Sequence, residues 1–470
     1  MKVLLVNPPL KHLISANVPS FVEEERGTYP PLGLLYIASY LRENGPEGLE
    51  VQVLDTILED LNYQEIEDFI LKESPDVVAT QTLTFTLVDS LEVVRLAKKV
   101  NPQIITVLGG RHCDIYPEET IRFEYVDYLI QGEGEIAFTE LIKNLNNERN
   151  LKKIAGLFLK TKDGVIGNSR ELIENLDRLP FPARELTNYH KYRFLLAKNS
   201  VFTTLVTSRG CPFTCTFCDE GRKRFRPVST SRVVDEIVAC KRNLGIETFF
   251  IFDSTFTVSR QRVLDFCDEL VKRKADVMFD IRSRINLIDD EILNKLKKAG
   301  CLRIQYGVES GNNTILKNIH KNITVDQVKR VVDKTRDYGF EILCDFMIGL
   351  PGEKEKEIMD TINLSLNLPI DFAHFSIMTP YPNTEIYHEG IRRGMFGDYW
   401  REFSLSPASN FEPLVWEEHF SKEELINYLS LAYSKFYKRP SYIWQQLFKI
   451  RTPAELFRKV KGGLKVLMRT

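Results

Sequence analysis

Ser208-Arg209-Gly210-Cys211-Pro212-Phe213-Thr214-Cys215-Thr216-Phe217-Cys218 holds three of the chain's eight cysteines, spaced Cys-x3-Cys-x2-Cys. Three thiolates this close in sequence can wrap one corner of a cubane [4Fe–4S] cluster. Three ligands for four irons leave one iron open, and an open metal position is where a substrate or cofactor binds. Structural zinc would need a fourth Cys or His at motif spacing, and none follows nearby. A redox Cys-x-x-Cys pair would use Cys215 and Cys218 but has no use for Cys211.

Working outward, the motif follows a strand candidate at Thr203–Val206. Further candidates lie at Thr248–Phe252, Val277–Ile281, Arg303–Val308, Glu341–Ile348 and Ala373–Met378. Helical patterns such as Arg232–Asn243, Arg260–Lys272, Asp289–Ala299 and Val325–Tyr338 separate them. Six successive βα units predict a full or partial barrel with its active site at the carboxyl ends of the strands.

The cysteine segment resembles the signature of the radical S-adenosylmethionine (SAM) superfamily, including the aromatic Phe217 before the last cysteine. The resemblance covers roughly residues 200–390. It implies that Cys211, Cys215 and Cys218 ligate the cluster and that the open iron chelates the SAM amino and carboxylate groups. One electron then splits SAM into a 5′-deoxyadenosyl radical, which abstracts hydrogen from an unactivated carbon. It also implies SAM contacts at Phe217, at Asp253 after the second strand, and at Arg282 and Ser283 within Arg282-Ser283-Arg284. Glu309 and Ser310 fall in the ribose-binding segment, Gly349 in a turn against the nucleoside, and Met378 where backbone reads adenine. Asp253 also reads as a turn residue, and the arginines as surface ion-pair partners.

Upstream, β-branched runs at Val3–Val6, Val51–Leu54, Val77–Thr80, Ile104–Leu108 and Tyr128–Ile130 alternate with amphipathic stretches. This pattern predicts a doubly wound parallel sheet with a ligand site at its carboxyl edge. Pro30-Pro31-Leu32-Gly33-Leu34, Leu108-Gly109-Gly110-Arg111-His112 and Gly132-Glu133-Gly134-Glu135 resemble the cobalamin-binding domain that precedes the radical SAM domain in one large subgroup. The resemblance implies a corrin held by Gln81, Thr82, Leu83, Gly109, Gly110, Gly132 and Glu133. Gln81 departs from the Ser usual there, and no histidine has Asp two residues before it, so the Asp-x-His cobalt-ligand motif is missing. His112 reads as a polar loop residue. A doubly wound domain that has lost cobalamin is the alternative.

The expected organisation is a cobalamin-binding-like Rossmann domain over 1–147, a connector over 148–200, a partial (β/α)6 radical SAM barrel over 201–390, and a small helical C-terminal region over 391–470. The tail from Lys435 to Thr470 carries many Lys and Arg but one acid, Glu455, with Trp444, Leu447, Phe448, Leu456, Phe457 and Leu467 interleaved. It reads as a cap helix with a solvated basic face, or as a surface for anionic lipid headgroups.

Hydrophobic residues at 43 % and charged at 27 % are those of a globular chain. A net charge of −2 offers no overall field for nucleic acid. No apolar run reaches membrane-spanning length, and the opening residues read as a strand rather than an export signal. The five scattered cysteines read as buried apolar side chains in a reducing cytoplasm, with membrane association through the tail as an added expectation.

The function expected is cobalamin-dependent methylation of an unactivated carbon in a small-molecule or lipid substrate. A reductant such as flavodoxin or ferredoxin would supply the electron. The same parts also suit radical cyclisation, oxidation or rearrangement, as in tetrapyrrole cyclases, or a cobalamin-free radical SAM enzyme.

Overall fold

The computed structural model describes residues 1–15, 27–194 and 201–448. These fall into two units. The first comprises Met1–Ser15, Thr28–Tyr192 and Phe396–Glu412, and the second takes the remainder.

The first unit is built on a seven-stranded sheet: β1 (Lys2–Asn7), β2 (Glu50–Asp55), β3 (Val77–Gln81), β4 (Ile105–Gly109), β5 (Tyr128–Ile130), β6 (Leu157–Thr161) and β7 (Gly164–Gly167), ordered β2-β1-β3-β4-β5-β6-β7. β1 to β5 are mutually parallel. Side chains alternate across a strand, so a sheet covered on both faces needs unbroken apolar runs. β1 shows this directly. Val3 and Leu5 pack with Leu34, Ala38, Phe138 and Leu141 on one face. Leu4 and Val6 pack with Ile66, Ile70, Val93 and Leu96 on the other. Strand order reverses at β1, so the switch point lies between β1 and β3, at whose carboxyl ends a ligand crevice is expected.

Two expectations change here. The segment 148–200 is not an irregular connector throughout: β6 and β7 extend the first sheet antiparallel to β5. Leu157, Phe158 and Leu159 are buried there, a short apolar run easily missed between glycines. The C-terminal region is not one piece either. The helix Tyr399–Leu405 belongs to the first unit, where Trp400 is buried against Phe85 and Arg401 pairs with Glu119 at 2.7 Å.

The second unit holds six parallel strands: β8 (Phe202–Leu205), then, after a short antiparallel clip of β9 (Ser208–Arg209) and β10 (Arg226–Pro227), β11 (Thr248–Ile251), β12 (Met278–Ser283), β13 (Cys301–Glu309), β14 (Glu341–Ile348) and β15 (Phe372–Ile377). Each strand neighbours its successor, and β8 and β15 are the two edges, so the barrel is partial. The β15 edge is closed by tyrosines of the C-terminal helices. Tyr433 Oη accepts from Phe375 N at 3.2 Å and donates to Phe375 O at 3.0 Å. Tyr437 Oη does the same at Ala373, at 3.2 and 2.8 Å. Of the basic tail, residues 449–470, including Leu456, Phe457 and Leu467, lie outside the described residues.

Candidate active site

The cysteine loop leaves β8 through the β9–β10 clip, in which Arg209 pairs with Arg226 and Ser208 with Pro227. Gly210 has φ +82°, and a Cβ there would lie 2.2 Å from Arg224 O, so the turn admits only glycine. Backbone bonds then fix the loop: Lys223 N to Cys211 O at 3.0 Å, Arg222 N to Phe213 O at 2.8 Å, and Cys218 N to Cys215 O at 3.2 Å. Cys211 is buried and Cys215 and Cys218 are half-buried. Burial, above all, pushes the Cys218 thiol up to about 11. Metal binding must therefore displace its proton. No three His, Cys, Asp or Glu side chains among the described residues converge on a single ion. A zinc site draws its ligands to one centre, whereas a cubane takes each thiolate on a different iron.

Asp253 stands behind the loop and holds it. The carboxylate is buried and accepts from Thr207 N and Oγ1, both at 2.6 Å, and from Ser208 N and Oγ at 3.1 and 2.6 Å. A carboxylate offers about four lone-pair sites, and all are taken. Asp253 thus fills the turn role that its sequence position also offered. Arg262, also buried, donates to Thr207 O at 2.7 Å and to its Oγ1 at 2.8 Å.

The three residues of Arg282-Ser283-Arg284 have different surroundings. Arg282 is exposed and stacks on Phe252 at 4.5 Å. Ser283 is buried, with Oγ 2.7 Å from Thr257 Oγ1. It is Arg284 that reaches the loop: its Nη1 donates to Cys215 Sγ at 3.1 Å, and the guanidinium lies 4.2 Å over the Phe213 ring. Its Nη2 donates to the Lys321 carbonyl.

Lys321, which sequence reasoning missed, forms a buried ion pair with Glu309 at 2.6 Å and lies 5.9 Å from the Phe217 ring. Glu309 ends β13 at φ +70°, beyond a register shift from Gly307. A Cβ at Gly307 would meet Glu309 Oε1 at 2.5 Å, so glycine makes room for the pair. Ser310 Oγ is buried, 3.3 Å from Thr361 Oγ1, and accepts from Asn312 N at 3.2 Å. Gly349, at φ +80°, and Leu350 both donate their N–H to Glu353 Oε2, at 2.8 and 3.0 Å. Met378 is buried with both backbone groups engaged, N to Ile348 O at 2.8 Å and O from Trp416 N at 3.0 Å.

In the first unit Gln81, Thr82, Leu83, Gly109 and Gly110 gather at the carboxyl ends of β3 and β4, and Gly132 and Glu133 follow β5. Thr82 N donates to Gly109 O at 2.6 Å and His112 N to Thr82 O at 3.0 Å. Gly110 has φ +105°, and a Cβ there would lie 2.9 Å from Thr82 O. Among the described residues, Gln81 Oε1 and His112 Nε2 are buried without a hydrogen-bond partner, and the buried Thr82 hydroxyl lies beside the Cys113 thiol. Buried polar atoms are rarely left so, and a ligand edge with donors and acceptors fits this cluster. Leu83 is exposed beside it. Gly132 N donates to Asp114 Oδ1 at 2.6 Å, and Glu133 Oε2 accepts from Ile173 N at 2.8 Å, so this Gly-Glu pair is bound into the unit's own frame. His112 is not a polar loop residue: it is fully buried, and desolvation pushes it down to about 3, leaving a neutral imidazole.

The Radical SAM superfamily profile matches residues 205–365 and the B12 binding domain profile residues 21–142. An uncharacterized methyltransferase of Pyrococcus horikoshii is 34 % identical over 456 residues, covering 96 % of this chain and 95 % of the relative. The anaerobic magnesium-protoporphyrin IX monomethyl ester cyclase of Rubrivivax gelatinosus is 27 % identical, covering 94 % and 78 %. The solved structure of the cobalamin-dependent S-adenosylmethionine radical enzyme OxsB, with aqua-cobalamin and S-adenosylmethionine bound, superimposes with a TM-score of 0.73 at 20 % identity, covering 98 % of this chain and 70 % of that one. With a relative matched end to end and both profiles in the expected order, the chain belongs to the radical SAM superfamily, among the members that carry an N-terminal B12-binding domain.

Proposed function

We propose that the chain is a cobalamin-dependent radical SAM methyltransferase. The observation that carries the radical chemistry is the glycine-pinned loop presenting Cys211, Cys215 and Cys218 at the carboxyl end of β8. When bound, the cluster supplies one-electron cleavage of SAM and the corrin supplies a transferable methyl group. An unactivated C–H bond needs such chemistry because side-chain bases cannot deprotonate it. The chain's own residues bind and orient. Asp253 and Arg262 fix the loop, Arg284 binds Cys215, and the Lys321–Glu309 pair sets the end of β13. Gln81 offers a free oxygen and Thr82 its hydroxyl to a corrin edge beside Gly110.

Methyl transfer is favoured over ring closure because the 34 % identical relative is a methyltransferase and the cyclase is 27 % identical. Ring closure stays the second reading on the strength of that cyclase. The substrate is a small molecule or a lipid, and the electron comes from an external donor of the flavodoxin or ferredoxin type. A cytoplasmic place accords with eight free cysteines. No described helix is long and apolar enough to cross a membrane. Contact of the basic tail with anionic lipid is tested by vesicle binding after truncation at 448, since Arg439 and Tyr442 bond to Leu366 O and Asp371 O within the second unit.

Anaerobic purification with cobalamin supplied, followed by iron and sulfide analysis and optical spectra, is expected to reveal cluster and corrin together. A product heavier by one CH₂ supports methylation. SAM cleavage with no mass gain in the product favours ring closure, and absence of a corrin band sinks the cobalamin assignment.

A further inference from the structure

We infer that Arg284 is a positioning residue that tunes the cluster: its guanidinium donates to the Cys215 sulfur and raises the potential at which the cluster takes up an electron. The inference rests on Cys211, Cys215 and Cys218 being the cluster ligands. Arg284 is 5 % exposed, yet among the described residues it pairs with no carboxylate. Its contacts are Cys215 Sγ, the Lys321 carbonyl and the Phe213 ring, while its Nε has no partner. A buried guanidinium without a counter-anion carries a large desolvation penalty. The neighbouring lysine does not share the task, because Lys321 is already matched by Glu309 at 2.6 Å. What Arg284 faces is the sulfur loop, which becomes anionic once its thiolates hold a cluster.

Reduction adds a negative charge to a centre already made anionic by three thiolates. A fixed cation 3.1 Å from one sulfur stabilises the reduced form more than the oxidised form. Hydrogen bonds to cluster sulfurs act in the same direction. The geometry is stiff: one nitrogen bonds sulfur, the other bonds a backbone carbonyl, and the plane rests on an aromatic ring. Lysine cannot reproduce that fork.

The test is an EPR-monitored redox titration of the full-length holoenzyme without SAM, comparing wild type with Arg284→Gln and Arg284→Lys. Arg284→Gln is expected to weaken reduction at least tenfold, a potential about 59 mV more negative for a one-electron couple. Arg284→Lys is expected to fall between. An unchanged potential in variants with full iron and sulfide content overturns the inference. Weakened SAM binding at unchanged potential would also overturn it, by assigning Arg284 to the SAM carboxylate. Should the glutamine variant fail to load a cluster, wild type labelled with ¹⁵N-arginine is examined instead. Hyperfine coupling of a guanidinium nitrogen to the reduced cluster supports the contact, and its absence overturns it. A wild-type chain that binds no cluster would sink the functional reading beneath this one.

Discussion

Glu353 is 2 % exposed, with Oε2 taken by two backbone N–H groups and Oε1 left without a partner. Burial pushes this carboxyl up to about 8 from its ordinary 4.5. Between those values the folded chain holds a proton that the unfolded chain has released, so stability falls as pH rises. The contribution is full below pH 4.5 and lost on passing about 8. Glu353→Gln copies the protonated acid in shape. We expect urea denaturation to find it as stable as wild type near pH 5 and more stable near pH 9. A parallel pH dependence in both proteins would refute this. Asp253 makes the complementary case. Asp253→Ala leaves two N–H groups and two hydroxyls without their acceptor and the Arg262 charge without its counter-anion. Removing one partner of a buried charge pair costs about 3–5 kcal/mol. Denaturant titration should register that loss together with lowered iron content, and a fully loaded, equally stable variant would contradict it. Residues of this kind mark where the sequence stops being readable. Three cysteines within eight positions announce their own chemistry. By contrast, Arg282 lies within β12 and Arg284 just past its end, a difference no side-chain type announces, and Lys321 comes from a loop beyond β13.

Elements were more legible than side-chain roles, because period-two and helical patterns survive without tertiary contacts. The strands of both sheets follow from their apolar runs, whereas β6 and β7 hide in a glycine-bounded hairpin whose outer strand is largely exposed. The helix Glu355–Asn367 fills the place between β14 and β15 that six βα units require, and its acidic first turn suits a helix start. No pattern, however, announces how the open edge of β15 is protected. Unpaired edge groups invite association with other chains. Tyr433 and Tyr437, one turn apart on the helix Lys422–Tyr437, supply one hydroxyl each to Phe375 and Ala373. Tyr433→Phe and Tyr437→Phe keep the ring packing and delete the hydroxyl. Each is expected to cost about 1–3 kcal/mol by leaving backbone groups unpaired. Thermal denaturation measures the loss, and the double variant should also aggregate faster on light scattering. Unchanged melting in both single variants would mean the hydroxyls are incidental.

At the scale of the whole molecule, the two candidate cofactor sites belong to two separate sheets, each with its own core. Val3, Leu5, Leu34 and Phe138 belong to the first, and Phe249, Ile304, Phe346 and Phe375 are buried in the second. The candidate corrin atoms lie at the ends of β3 and β4, and the cysteines lie after β8. Losses at the two sites should therefore separate. Cys211→Ala, Cys215→Ala or Cys218→Ala is expected to abolish cluster assembly and SAM cleavage while leaving the corrin spectrum intact. Gly110→Val makes the converse test. It forces a side chain into φ +105°, with Cβ 2.9 Å from Thr82 O, so the turn beside Gln81 and Thr82 must shift. Corrin uptake should fall at least tenfold in that variant, while iron and sulfide content stays at the wild-type level. Paired optical titrations with cobalamin and with iron and sulfide read both quantities from one preparation. A cysteine variant that loses corrin, or a Gly110 variant that loses iron, would mean that these residues hold up the fold common to both sites rather than one cofactor each.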